Sequence, residues 1–384
     1  VALSTTEVTR LTLTRIAIPF KVAVKHASAT RTCTESILVE AHSRDGEIGY
    51  GEGCPRAYVT GETMKSCEEF FSRHSKDLQV SVSGIDSLRA WTQKAKSDID
   101  RNPAAWCAIE LALLDLIGKV QRECVEAMLR LPLLGRSYCY SAILGDADVS
   151  VLKGQLARYR RMGLSDFKLK ISGDLKRDQD KFDLLSEEPV RVRLDANNAW
   201  ASPAEAIRYL RSIDLPVLAV EEPLHQRSYP GLRAIADATN MRVILDESFT
   251  RCEQFGVLAP PFDPWIINIR VSKMGGLMRS LDVAERAAGL GIPVVIGAHV
   301  GETSLLARAA LTVATAARES VLAQEGAFGT YLLQRDICAP ALMFGHGGQL
   351  DPKLLTTLGG KGFGLSMLET THAQDGNGRN AQCR

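Results

Sequence analysis

The sequence predicts an α/β protein: a parallel barrel preceded by a mixed α+β module. Two observations predict it. From Tyr138 onward, short β-rich runs alternate with amphipathic stretches, and polar residues recur at the ends of successive runs at intervals of 25 to 27 residues. Strand, helix and strand at that spacing mean parallel pairing with right-handed crossovers. A doubly wound open sheet is the competing architecture, but the Gly-rich phosphate turn expected after its first strand is missing.

The elements follow in order. "ESILVEAHSRDGEIGYGEG" reads as a hairpin turning at Asp45-Gly46. From Lys65 to about Leu131 the pattern is helical, and "PAAWCAIELALLDLIGKV" is its clearest helix, with Pro103 near the start and Gly118 near the end. The eight barrel runs are "YCYSAIL", "DFKLKI", "VRVRLD", "VLAVEE", "RVILDE", "WIINIRV", "IPVVIG" and "SVLAQE". After Gly329 the chain becomes Gly-rich, as in a segment folding back onto the first module, and it ends in a polar tail, "HAQDGNGRNAQCR". The expected division is 1–131, 132–329 and 330–384.

Composition is ordinary for a soluble protein: 384 residues, 45% hydrophobic, 24% charged and a formal net charge of +1. Such a balance supplies no strong field for nucleic acid or an anionic membrane. No run of apolar residues is long enough to span a bilayer, and no secretory signal is expected at the N-terminus. Nine cysteines without C-x-x-C spacing, several in apolar surroundings (Cys107, Cys139, Cys338), suit buried thiols in a reducing compartment, the cytoplasm by default.

In "FKLK", Lys168 and Lys170 share one strand face, roughly 7 Å apart. Asp195, Glu221 and Asp246 end the third, fourth and fifth runs, and Lys273 follows the sixth. All therefore stand at the C-terminal mouth, where barrel enzymes keep their chemistry. One carboxylate there could cap a helix; three in phase cannot all stay ionised without a cation. Oxygen-only ligation favours a hard divalent ion, Mg²⁺. Runs two and six are opposite in an eight-stranded barrel, so an amine stands on each side of the acids. That arrangement can remove a proton from one face of a carbon and return one to the other, with Lys168 expected to lower the pKa of Lys170 by like-charge repulsion.

"KLK", "LDANNAW", "VEEP", "LDES", "NIRVSKMGG" and "GAHVGETS", with the helix before the barrel, resemble the muconate lactonizing enzyme subgroup of the enolase superfamily. The resemblance implies a modified TIM barrel, (β/α)₇β, under an α+β capping domain built from both chain ends. It implies Asp195, Glu221 and Asp246 as Mg²⁺ ligands (Mn²⁺ a possible substitute), with Glu221 preferred over Glu222. Lys170 and Lys273 become the acid/base catalysts, Lys168 the tuning residue, and Asn197 and Glu247 supporting residues. The implied reaction is proton abstraction α to the carboxylate of a small molecule through an enediolate, leading to racemisation or epimerisation. Cycloisomerisation and dehydration are the alternatives on the same scaffold, a catalytically silent ligand-binding barrel is a further one, and a homo-oligomer is expected.

Two departures bear on substrate. Dipeptide epimerases of the group carry D-x-D at the eighth strand, where this chain reads "QEGAFGTYLL"; Glu325 is the candidate cation partner left there. His299 lies near the place of the catalytic histidine of the mandelate racemase branch, which lacks a lysine at the position of Lys273; it is a pocket or core residue, or a proton donor. Glu302 either contacts the substrate carboxylate or caps the following helix. The family sets specificity through its cap, so "PFKVAVKHASATR" and "GCPRAYVTGET" are expected as loops over the mouth, with Lys25, His26, Tyr58 and Thr60 as contacts.

Overall fold

A computed structural model of the chain describes residues 5–26, 29–135, 137–187, 189–225 and 227–368. The side chains of Lys25 and His26 and the expected tail lie outside the described residues.

All eight runs form strands, from Ala142–Leu144 and Asp166–Lys170 through Arg191–Asp195, Val217–Glu221, Arg242–Leu245, Trp265–Ile269 and Val294–Ile296 to Val321–Gln324. They pair in sequence order, every neighbour parallel. The Ser141 amide donates to the Gln324 carbonyl (2.8 Å), joining the first strand to the eighth. Crossovers follow seven strands, and the eighth runs on without a helix of that kind, as (β/α)₇β requires. The fifth crossover departs from a regular helix: it holds only a 3₁₀ segment, Cys252–Val257.

In front of the barrel, Val8–Ile16, Ser36–Ser43 and Ile48–Gly53 form an antiparallel sheet. The expected hairpin is its second half, turning through Gly46 at a positive φ of 84°. Helix Pro103–Gln121 lies on this sheet and is buried almost all round, which explains its uninterrupted apolar run. Gly49, Gly51 and Gly53 share the strand face beneath it. A Cβ at these positions would lie 2.0–2.1 Å from the carbonyl oxygens of Ala112, Ala108 and Ala104, so only glycine lets strand and helix approach this closely.

Gly118 lies near the end of that helix as expected, and the cap itself is Arg122, in the left-handed region at φ 61°. Gly118 serves packing, since a Cβ there would stand 2.7 Å from the Gly362 Cα. The segment after 329 does return to the first module: the Val125 amide donates to Gly362 O (3.0 Å) and the Phe363 amide to Asp115 Oδ1 (2.9 Å). Cys107 and Cys338 are buried as expected, but Cys139 is exposed, because it precedes the first strand, outside the barrel, where it is β-bridged to Gln349. Among the described residues no helix is long and apolar enough to cross a membrane.

"PFKVAVKHASATR" is a hairpin rather than a loop, with strand Pro19–His26 against Ala29–Cys33. A Cβ on Gly301, after the seventh strand, would meet the Phe20 ring at 2.6 Å. "GCPRAYVTGET" holds a one-turn helix, Ala57–Thr60, and Arg56 beside it donates to Val300 O (2.9 Å). Both cap segments therefore rest on the loop that closes the seventh strand.

Candidate active site

Strand register places the polar residues. Lys170 is directly opposite Asp195, and Asp195 directly opposite Glu221. Neighbouring strands lie roughly 4.8 Å apart, so these groups rise side by side from the sheet. Asp246 follows the fifth strand at the same mouth.

An unbroken chain of opposite charges runs around the arc. Lys170 Nζ is 3.4 Å from Asp195 Oδ2, and the same oxygen is 3.8 Å from Lys168 Nζ. Lys168 reaches Glu221 Oε2 at 3.0 Å. Arg270 Nη2 lies 3.7 Å from Glu221 Oε1 and pairs directly with Asp246. Lys273 Nζ closes the series, 2.8 Å from Asp246 Oδ1. The two lysines Lys170 and Lys273 stand at opposite ends of an arc of three acids.

Each acid is buried, and the charges settle differently along the arc. Burial opposes ionisation of Asp246, but Arg270 and Lys273 hold it well below the usual carboxylate range. Asp195 is likewise lowered against its burial, by Lys170 and Lys168. Glu221 is pushed up to about 7 by burial, with repulsion from Asp195, Glu325 and Asp246 adding to it against the attraction of Lys168. Burial alone would lower Lys168, yet Glu221, Glu325 and Asp195 raise it above an ordinary lysine, so it keeps its proton. Lys273, with no exposed surface, is shifted down by burial, with Asp246 opposing and Arg270 assisting.

Among the described residues no three Asp, Glu, His or Cys side chains form a closed cation cage. Asp195, Glu221 and Asp246 are linked pairwise instead, through Lys168 and Arg270. The donor set nonetheless fits a hard divalent ion: it is all oxygen, two of its members are in register, and repulsion from Asp195 and Asp246 falls on Glu221.

Asn197 Oδ1 accepts from Lys170 (3.4 Å), while its amide donates to Asp195 Oδ1 (3.1 Å). Burial, with Asp246 and Glu222 adding repulsion, pushes Glu247 well above the usual carboxylate range. Glu222 is turned away from this chain of ion pairs: it accepts from the amides of Asp246 (2.6 Å) and Ser248 (2.8 Å) and from the Ser248 hydroxyl (2.8 Å). It clips the loop that carries Asp246. Should the three acids hold a divalent ion, Glu222→Ala is expected to weaken its affinity by roughly 10–100-fold, as loss of an outer partner does, measured by titration with Mn²⁺.

Several of the expected contacts have partners within the chain. Both oxygens of Glu325 are paired inside the chain, with Lys168 (2.8 Å) and Arg193 (2.9 Å), so it is no partner for a substrate cation. The Thr60 hydroxyl, half-buried, donates to Glu62 Oε2 (2.8 Å). Tyr58 lies under the Arg31 guanidinium, 5.8 Å from ring centroid to Cζ. His299 is buried and held neutral by burial and by Arg270 and Arg56; its Nδ1 accepts from Arg270 at 3.4 Å. Glu302 does not cap the next helix, since Thr303 does so through Leu305 N (3.3 Å); burial and Glu52 push Glu302 up to about 8.

Sequence reasoning missed Arg270, Asn268 and Arg193. Asn268 donates to Glu221 Oε1 (2.9 Å), and its carbonyl accepts from Lys273 (2.6 Å). The signal was available: each sits two residues from another polar group on or just after a buried strand, the pattern that singles out Lys168 and Lys170.

A family profile described as Enolase C-terminal domain-like matches residues 152–370. The chain belongs to this family. The L-Ala-D/L-Glu epimerase of Bacillus subtilis is 29% identical over 328 residues, 81% of this chain and 86% of that protein. The N-succinyl-L-Arg/Lys racemase of Bacillus cereus is 24% identical over 319 residues, 80% of this chain and 84% of that one. The crystal structure of a dipeptide epimerase from Enterococcus faecalis V583, complexed with Mg and L-Leu-L-Tyr, superposes with a TM-score of 0.79. It is 22% identical and covers 94% of this chain and 99% of its own, a likeness of fold.

Proposed function

We propose that this chain is a Mg²⁺-dependent racemase or epimerase that moves the proton α to the carboxylate of an amino acid derivative. The carrying observation is the arc of three buried acids with Lys170 at one end and Lys273 at the other. Relatives with epimerase and racemase names support the reaction class.

Asp195, Glu221 and Asp246 would hold the ion, with Mn²⁺ as a substitute. Bound there, it supplies charge stabilisation for the substrate carboxylate as the α-proton leaves. Lys170 takes or gives the proton on one face of the α-carbon, and Lys273 on the other. The burial that lowers Lys273 brings it toward the range an acid/base group needs. Lys168 stays protonated and holds Asp195 and Glu221 in place. The cap hairpin and the Ala57–Thr60 turn exclude water above the mouth.

The substrate's amino end carries no positive charge in this reading. The eighth strand has no D-x-D pair, and Glu325 is committed to Lys168 and Arg193. N-acyl amino acids are therefore the expected class. Incubation in D₂O with Mg²⁺ and a library of N-succinyl and N-acetyl amino acids and of dipeptides should give α-deuterium exchange, fastest for N-acyl compounds. No exchange across the library contradicts the assignment.

One observation favours a second reading, a cycloisomerase or dehydratase with a single base. Lys273 Nζ has three acceptors within the chain, Asp246 O (2.7 Å), Asp246 Oδ1 (2.8 Å) and Asn268 O (2.6 Å), as suits a fixed charge.

A further inference from the structure

Behind Lys170 the chain leaves the second strand through Ile171, Ser172 and Gly173, and this turn is held by one buried carboxylate. Asp178, on the helix Leu175–Ser186, has no exposed surface. Its Oδ2 accepts from the Ser172 amide (2.9 Å), the Ser172 hydroxyl (2.9 Å), the Gly173 amide (3.2 Å) and the Tyr209 hydroxyl (2.7 Å). Oδ1 accepts from Lys181 (2.7 Å), which also reaches Asp146 Oδ1 (2.6 Å). Four donors on one oxygen exceed what anchoring a helix demands, and two of them are backbone amides within three residues of Lys170.

The turn is gripped from its other side by the loop that follows Asp195. Trp200 Nε1 donates to Gly173 O (3.3 Å), and the Trp200 ring packs against Tyr209 with centroids 4.8 Å apart. Gly173 sits at φ +82°, and a Cβ there would meet Ala199 Cβ at 2.8 Å. The same loop supplies Asn197, whose Oδ1 meets the Lys170 amine. One network therefore fixes both the backbone carrying Lys170 and the group its amine touches.

We propose that Asp178 is a positioning residue for Lys170, acting through the Ser172–Gly173 turn and, by way of Tyr209 and Trp200, through the Asn197 loop. Its influence is one-sided: among the described residues the Asp178 carboxylate bonds to Ser172, Gly173, Lys181 and Tyr209, and none of these is Lys273 or belongs to the loop carrying Asp246. The inference rests on the two-lysine reading above and specifies how one of the two amines is aimed.

The one-sidedness gives the test. α-Deuterium exchange is followed from each enantiomer of the N-acyl amino acid that the unaltered protein exchanges fastest. Lys170→Ala identifies the enantiomer that Lys170 serves. Asp178→Asn should slow exchange from that enantiomer roughly tenfold or more, as misplacement of a reacting group does, and leave exchange from the other unchanged. Tyr209→Phe, which removes a single donor, should shift the ratio of the two rates in the same direction and covers the case in which Asp178→Asn fails to fold. Equal slowing of both enantiomers, or no change in either variant, overturns the positioning role while leaving the two-lysine reading intact. An unaltered protein that exchanges neither enantiomer of any compound in the library removes that reading, and this inference with it.

Discussion

Lys170→Ala and Lys273→Ala should each abolish exchange from one enantiomer and not from the other. The two amines stand at opposite ends of the acidic arc, so each faces one side of a carbon held between them. General acid–base groups contribute roughly 10²–10⁴-fold, and a loss in that range is expected for the enantiomer whose proton faces the missing amine. The other enantiomer should still lose its proton to the remaining lysine, but should wash deuterium in with retention rather than inversion. Chiral separation with mass spectrometry reads both quantities together. The single-base reading makes a different forecast: Lys170→Ala would remove all exchange, and Lys273→Ala would slow every substrate alike through lost charge stabilisation.

Arg308→Ala should be the most destabilising single change away from the site. Arg308 has no exposed surface, and its N–H groups all have acceptors: Glu126 Oε1 (2.8 Å) and Oε2 (2.9 Å), Thr312 Oγ1 (2.9 Å), Leu358 O (3.0 Å) and Phe363 O (2.9 Å). These partners join a barrel helix, Ser304–Ala316, to the short helix Val125–Met128 and to the returning C-terminal segment. Truncation leaves the Glu126 carboxylate buried without its cation, which typically costs about 3–5 kcal/mol. A lower urea midpoint and lower Tm are expected. The pH dependence has a definite sign: burial works against it, yet Arg308 holds Glu126 below the ordinary carboxylate range. The pair's stabilisation is therefore present above the unfolded carboxylate pKa and lost as pH falls through the folded one. The variant, lacking that contribution, should lose less stability on acidification than the parent.

The barrel was legible because its strands are buried on both faces and short, so a polar residue inside a run marks a special position. Lys168, Lys170, Asp195, Glu221 and Asp246 stand out for that reason. Arg193, Asn268 and Arg270 carry the same mark, but their partners lie on other strands, and a pairing such as Arg193 with Glu325 depends on closure of the eighth strand onto the first. Spacing within a run does not encode that closure. For the same reason Glu325 reads from sequence as a spare carboxylate at the mouth, when both its oxygens are spent on interior cations. Gly118 marks the last turn of its helix from sequence, but the reason it must be glycine, the close approach of Gly362, depends on the returning segment. The fifth crossover was expected to be helical from the βα rhythm alone, and the sequence "RCEQFGVLAPP" there is too short and too Pro-rich to propagate one.

A crystal grown with Mn²⁺ and measured at the metal's absorption edge tests most directly whether one divalent ion joins the three acids between the two amines. One anomalous peak is predicted, with oxygens of Asp195, Glu221 and Asp246 all within about 2.2 Å and Lys170 and Lys273 on opposite sides. A peak elsewhere, a peak reached by only one of the three carboxylates, or both amines on the same side would contradict it.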